Sequence, residues 1–356
     1  MAHFVTRMIQ TTRDEENQQL MTVWPDIIHD VTKAIENFNI PDVAKWMEKV
    51  LQYNVPEGEK IRGLRLIYAY KLLAPNDQLT EENIRLARIL AWCVELTQAY
   101  FFMIDHIEDR TFFRRGQLCW HEYNDLNLAA IDDTFMLYSS IFYLIQKHFK
   151  EKDCYVNLIE TFQDITMKSA IGQSLDLLCT NFGKKPNLDM FTMNQYTSIV
   201  KYKTSYCSFI LPIIAAMQLA GIKDQEMFKE AKTILLEIGC LFQVQDDYLG
   251  SYGDFEICGK NNNDVQEGKC TWFIVVALQR VTPEQRKILE ECYGDSDLEK
   301  IEHVKQLFND LNLLDTYFTY EEEIYNLIKV HIKQMSSGLP HSLFLTILWK
   351  LYHRMS

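Results

Sequence analysis

The chain has 356 residues, 47% of them hydrophobic and 24% charged, with a net charge of −13. A chain of this size buries about three quarters of its unfolded surface, so a substantial core is available. The acidic balance disfavours nonspecific contact with nucleic acid or anionic membrane, and an anionic ligand would need metal ions as mediators.

No apolar run reaches the roughly 18 residues of a membrane span, and Met1 to Glu15 is polar and mixed in charge, which points to a soluble, unsecreted protein. Nine cysteines (93, 119, 154, 179, 207, 240, 258, 270 and 292) are scattered through apolar segments without a CxxC pair. An odd total fits neither a disulfide framework nor a zinc site, and a reducing, cytoplasmic location is expected.

Only 13 glycines and 8 prolines punctuate the chain, and the segments between them carry apolar residues at 3.6-residue spacing. The pattern is all-α. Helices are expected over Asp14 to Phe38, Pro41 to Tyr53, Arg62 to Leu73, Glu81 to about Arg110, Leu126 to Phe149, Tyr155 to Leu178 and Met190 to Ala220. They continue over Asp224 to Leu249, Pro283 to Glu291, Asp297 to Asn312, Phe318 to Gln334 and His341 to Arg354. Thr80 and Asp224 stand where N-caps belong, and Pro283 stands in a first turn. No linker or repeat marks a boundary, so residues 1–356 are expected to form a single bundle-like domain, with about 1–13 a poorly ordered N-terminus.

Two acidic clusters interrupt this pattern. The first is DHIEDRTFFRR, Asp105 to Arg115. Asp105 and Asp109 are i,i+4 neighbours whose side chains stack about 6 Å apart on one helix face. A divalent cation relieves their repulsion, and Mg²⁺ favours a couple of carboxylates completed by water and phosphate. Taken alone, the cluster fits a solvated helix end about as well, with Asp109 or Glu108 paired to Arg110. Arg114 and Arg115 tilt the balance, because arginine grips phosphate bidentately. The second cluster is FQVQDDYLGSYGD, Phe242 to Asp254. Its Asp246 and Asp247 point about 100° apart around the helix, and the i,i+4 partner of Asp246 is Gly250.

Together with KYKTSYCSFILP (201 to 212) and IGQSLDLL (171 to 178), these segments resemble the signature motifs of farnesyl diphosphate synthases. The likeness runs in order from about Arg62 to the C-terminus. It implies an isoprenoid synthase helical bundle around a central cavity, usually a homodimer. In that family both acidic motifs read DDxxD and hold three Mg²⁺, with Mn²⁺ able to substitute, against the diphosphate of an allylic prenyl substrate. The resemblance carries the metal-holding positions to Asp105, Asp109 and Asp246, and the diphosphate contacts to Arg114, Lys203 and Lys260, with Thr204, Gln243 and Asp247 in support. His106 and Gly250 depart from the motifs, and His106 is given no catalytic role. Tyr100 and Phe101 fall where bulk limits chain length, at the floor of the cavity, with Gln173 and Asp176 lining the same space.

The pocket for isopentenyl diphosphate looks damaged. The family's GGKxNRG corresponds to Glu57 to Gly63, where Glu59 replaces the lysine, Ile61 replaces the asparagine and Arg62 remains. Exchanging attraction for repulsion at about 5 Å costs roughly 6 kcal/mol before screening. Lys60 is a candidate to compensate, and Gln98, Arg115 and Arg354 persist, although the tail LYHRMS is thinned of basic residues. The expectation is therefore a class I terpene synthase that ionises an allylic diphosphate, most simply farnesyl diphosphate, and turns the cation into a sesquiterpene. The resemblance is to insect terpene synthases that derive from farnesyl diphosphate synthases, which would suit a volatile signal. The alternatives are a trans-prenyltransferase making farnesyl or geranyl diphosphate, or a silent regulatory subunit.

Overall fold

A computed structural model describes residues 2–114, 116–253 and 264–353, with side chains from Arg13 onward. The order of helices is α1 (Ala2–Glu36), α2 (Pro41–Asn54), α3 (Ile61–Leu73), α4 (Glu81–Glu108), α5 (Ala130–Phe149), α6 (Tyr155–Cys179), α7 (Met193–Ile199), α8 (Leu211–Leu219) and α9 (Gln225–Tyr252). After them come α10 (Asp264–Glu267), α11 (Trp272–Leu278), α12 (Pro283–Cys292), α13 (Leu298–Asp310), α14 (Leu313–Gln334) and α15 (His341–Tyr352). Among the described residues the strands are Phe113–Arg114 and Gln117–Leu118, a hairpin that follows α4. The all-α expectation holds.

The expected caps form. Thr80 accepts from Asn83 N at 3.2 Å, Asp224 accepts from Glu226 N at 2.9 Å, and Pro283 opens α12 behind a Thr282–Gln285 capping box. Helix α1 begins well before the expected Asp14. The single helix expected over Met190 to Ala220 is instead three pieces, with a π-helical turn at Val200–Ile210 between α7 and α8. Pro212 gives a physical reason: without an N–H, and with its ring against the carbonyl one turn back, it disfavours a regular α-turn before it. Helix α11 escapes the periodicity because WFIVVAL is apolar on every side and buried from Trp272 to Ala277.

The chain divides into two compact units: Met1–Phe113, Gln117–Asp164 and Leu211–Phe228 form the first, and Arg114–Gly116, Ile165–Ile210 and Lys229–Ser356 the second. In the first, α3, α5 and α8 pack on α4, which is buried at nearly every position from Leu86 to Ala99. Trp92 Nε1 donates to Leu20 O at 3.0 Å, so its indole is buried without an orphan donor. Asp30 ties α1 to α5 with one oxygen on Lys147 Nζ at 2.6 Å and the other on His148 Nε2 at 2.7 Å. By length and composition Glu81–Glu108 and Asn127–Phe149 could each cross a membrane, but 72% and 44% of their apolar windows are buried in the protein, as in core helices.

In the second unit an aromatic cluster forms the core, with Tyr248 and Tyr317 stacked at 4.6 Å and Phe273 5.8 Å from Tyr317. Glu230 on α9 clasps the turn before α15, accepting from Ser336 N and Ser337 N, each at 3.1 Å. Hydrogen bonding, first from the Ser337 side chain and then from the Ser336 N–H, draws its carboxyl from 4.5 down to about 2. A depressed carboxyl stabilises the fold above its unfolded value and loses that contribution as the pH falls toward the folded one. Glu230→Gln is therefore expected to lower the melting temperature near neutral pH, and the gap from the parent should close as the pH drops below about 4.5, in paired thermal melts.

Candidate active site

In the first unit the acidic motif sits where α4 ends. Asp109 is the C-cap, its N–H donating to Asp105 O at 2.8 Å, and Arg110 turns left-handed at φ 52°, which stops the helix before the expected Arg110. Asp105 and Asp109 are half-buried and lie one turn apart on α4, as expected. Acids at this end oppose the helix dipole as well as each other, so a cation nearby is favoured. One turn deeper, Tyr100 and Phe101 meet ring to ring at 4.9 Å, and Tyr138 of α5 lies 5.3 Å from Tyr100. Burial, then the charges of Tyr138 and Glu108, push the Tyr100 phenol above its usual value. Tyr138 had no sequence signal, since a tyrosine within an apolar helix carries no motif. His106 stacks on Phe102 at 5.9 Å, the ring that also receives the Arg62 guanidinium at 5.9 Å.

The loop from Glu57 to Gly63 is firmly built. Lys60 is buried, adopts φ 49° and donates from Nζ to Pro56 O and Gly58 O, both at 2.9 Å. It therefore staples its own loop, where the sequence suggested a rescuing cation. Glu59 pairs with Arg13 at 2.6 Å while its side chain stays 65% exposed. Gly63 N donates to the buried Glu95 Oε1 at 2.7 Å, which fixes the first turn of α3 and with it Arg62. Gln98 is buried on α4.

In the second unit the structure gathers five of the expected residues. Lys203 Nζ pairs with Asp176 Oδ2 at 2.6 Å. Thr204 Oγ1 donates to Gln243 Oε1 at 2.7 Å, and Gln243 Nε2 donates to Asp247 Oδ1 at 2.9 Å. Asp247 Oδ2 also accepts from Tyr196 OH at 2.7 Å and Trp272 N at 2.8 Å. Burial, then the charge of Asp264, pushes the Asp247 carboxyl up to about 8 against the pull of these donors. Tyr196 and Trp272 had no sequence signal, since a backbone N–H and a lone tyrosine carry no motif. Asp246 is half-buried one step along α9, and Gln173 is half-buried on α6. A Cβ on Gly250 would collide with the Asp264 carboxylate, so the acid missing from position 250 is met in space by one from α10. Lys260, Arg115 and Arg354 lie outside the described residues.

Among the described residues no three His, Cys, Asp or Glu side chains converge to hold a metal unaided. Mg²⁺ does not need such a cage, since one or two carboxylates with phosphate and water complete its shell. Asp105 with Asp109 in the first unit, and Asp246 in the second, each offer hard oxygen donors of that kind, so the residue types present fit the ion.

The polyprenyl synthetase family matches residues 44–311. The chain belongs to that family. Farnesyl pyrophosphate synthases from Murgantia histrionica and Nezara viridula are each 47% identical to it over 345 residues, 97% of this chain and 84% of theirs. The Gallus gallus farnesyl pyrophosphate synthase is 40% identical over 342 residues, 96% of this chain and 93% of its own. The family uses Mg²⁺, and the chain is an isoprenoid biosynthesis enzyme of the farnesyl diphosphate synthase type.

These relatives overturn the terpene synthase expectation: full-length likeness at this level is to synthases of a prenyl diphosphate. The physical reason lies at Glu59: its charge is neutralised by Arg13, and an exposed carboxylate is screened by solvent. A sequence window around Glu59 could not contain Arg13.

The geometry predicts separable effects in the second unit. Thr204→Val, which deletes the donor to Gln243 while keeping the shape, should leave Asp247 anchored and lower stability by about 1 kcal/mol, read by urea denaturation.

Proposed function

We propose that this protein is a trans-prenyltransferase that joins an allylic prenyl diphosphate to isopentenyl diphosphate, with farnesyl diphosphate as product. The observation that carries this reading is the state of the 57–63 loop: it is stapled by Lys60, neutralised at Glu59 by Arg13 and anchored at Gly63 by Glu95, which supports a working second pocket. The names of its relatives support the same activity.

Mg²⁺, three ions on the family's pattern, would be held by Asp105, Asp109 and Asp246 and would neutralise the diphosphate as it departs. Arg114 and Lys203 donate to the diphosphate oxygens, and these charge-assisted bonds strengthen as the allylic C–O bond breaks. Asp176 holds the Lys203 ammonium in place. The new bond joins the allylic carbon to the terminal carbon of isopentenyl diphosphate, and the proton lost beside it passes to the released diphosphate. Tyr100 and Phe101 present aromatic rings that stabilise positive charge and limit the length of the product.

The same reading extends to assembly and location. The unbroken family match supports reading the chain as one functional domain. Leu128, Ile131 and Phe135 form an exposed apolar row along α5 and the turn before it, 69%, 41% and 60% accessible, which supports a homodimer. The eight described cysteines are all free thiols, in keeping with the reducing cytosol.

Incubation with geranyl diphosphate and Mg²⁺ should give a longer diphosphate only when isopentenyl diphosphate is added; a hydrocarbon released without it would sink the proposal. Arg13→Ala should raise KM for isopentenyl diphosphate by about threefold to tenfold, the discounted effect of one exposed charge, with KM for the allylic substrate unchanged in steady-state kinetics. Phe101→Ala should shift the products toward longer chains, as read by chromatography of the dephosphorylated alcohols.

A further inference from the structure

The π-helical turn at Val200–Ile210 holds Lys203 and Thr204, and two neighbouring helices treat it alike. On α6, a Cβ added to Gly172 would strike the Lys203 backbone, coming within 2.6 Å of its Cα and closer still to its nitrogen. One turn further along α6, Asp176 takes the Lys203 ammonium at 2.6 Å. On α9, a Cβ added to Gly239 would lie 2.6 Å from Ser205 Cβ and 3.0 Å from its Cα. One turn further along α9, Gln243 accepts from Thr204 at 2.7 Å, and the next turn brings Asp247. Each helix thus has a glycine that lets it press on the wide turn, followed at i+4 by the polar group that receives the side chain presented there.

A real Cβ almost never approaches another heavy atom within 3.0 Å, so a side chain at either glycine must displace something. At Gly172 the obstacle is backbone, which cannot rotate away; at Gly239 it is mainly the Ser205 side chain. Ser205 Oγ meanwhile donates to Val200 O at 3.2 Å, five residues back, closing the wide turn on itself.

We propose that Gly172 and Gly239 are positioning residues for the elongation reaction. They let α6 and α9 set where the Lys203 ammonium and the Thr204 hydroxyl stand relative to the allylic diphosphate. The inference rests on the proposed prenyl transfer, and it assigns the two glycines a role beyond packing, because the residues they press on are those that meet the leaving group.

The test uses the full chain with Gly172→Ala, Gly239→Ala and the double variant Gly239→Ala with Ser205→Gly. Four readouts are taken: kcat and KM for each substrate separately, the affinity for inorganic diphosphate with Mg²⁺ by calorimetry, and the melting temperature. Gly172→Ala should lose about a hundredfold in kcat/KM for the allylic substrate and bind diphosphate more weakly, with KM for isopentenyl diphosphate unchanged. Gly239→Ala should lose about tenfold, and Ser205→Gly should restore most of it by returning the space. If the glycines serve packing alone, the melting temperature will fall while diphosphate affinity and kcat/KM per folded molecule hold, and the proposal is overturned; failure of Ser205→Gly to rescue would overturn it too. Should Gly172→Ala not fold, the Gly239 pair decides. If the parent protein makes no longer diphosphate yet the variants still bind diphosphate more weakly, the elongation reading falls and the positioning role stands.

Discussion

A carboxyl group buried at Asp247 has to be satisfied by hydrogen-bond partners or it costs several kcal/mol. Three donors from three places meet it: the Tyr196 hydroxyl of α7, the Gln243 amide of α9 and the backbone N–H at the start of α11. The Gln243 bond lies within α9, but the Tyr196 and Trp272 bonds exist only once α7 and α11 are packed on it, so the acid works as a test of assembly for the second unit. Because Gln243 is spent on both Asp247 and Thr204, the same carboxylate also fixes the hydroxyl that stands beside Lys203. Local stability and the candidate chemistry therefore share the Gln243 amide.

The first unit solves a different problem. Helix α4 is buried along most of its length, yet it ends in the half-buried carboxylates of Asp105 and Asp109. The left-handed Arg110 stops it at that boundary, and the aromatic floor of Tyr100, Phe101 and Tyr138 marks where the apolar part begins. The loop that enters α3 shows how a substitution is absorbed. Glu59 brings a negative charge to a family position that is basic, Arg13 from α1 takes it up, and the loop keeps its shape through the Lys60 and Gly63 bonds.

Much of this was legible in one dimension. The helices α2, α3, α12 and α15 announced themselves through apolar spacing, helped in α2 and α12 by a proline in the first turn, which are local signals. The i,i+4 pair Asp105 and Asp109 was readable because helix geometry alone puts them on one face. Helix α11 was not, since a uniformly apolar run has no contrast from which to read a period. Nor was the π-helical turn, whose width answers to Pro212 and to the close approach of Gly172 and Gly239 from other helices.

The sequence by itself determined the fold class and the place of both acidic motifs near helix ends, because periodicity, capping and motif identity are properties of neighbours along the chain. Only the tertiary structure decided that Glu59 is answered by Arg13, that Lys60 serves its own loop, that Lys203 stands on Asp176 and that Asp264 fills the space left at Gly250. The physical reason is that charge is balanced in space. A carboxylate's energy depends on what lies within a few ångströms, and the residues that neutralise it here come from distant stretches of the chain.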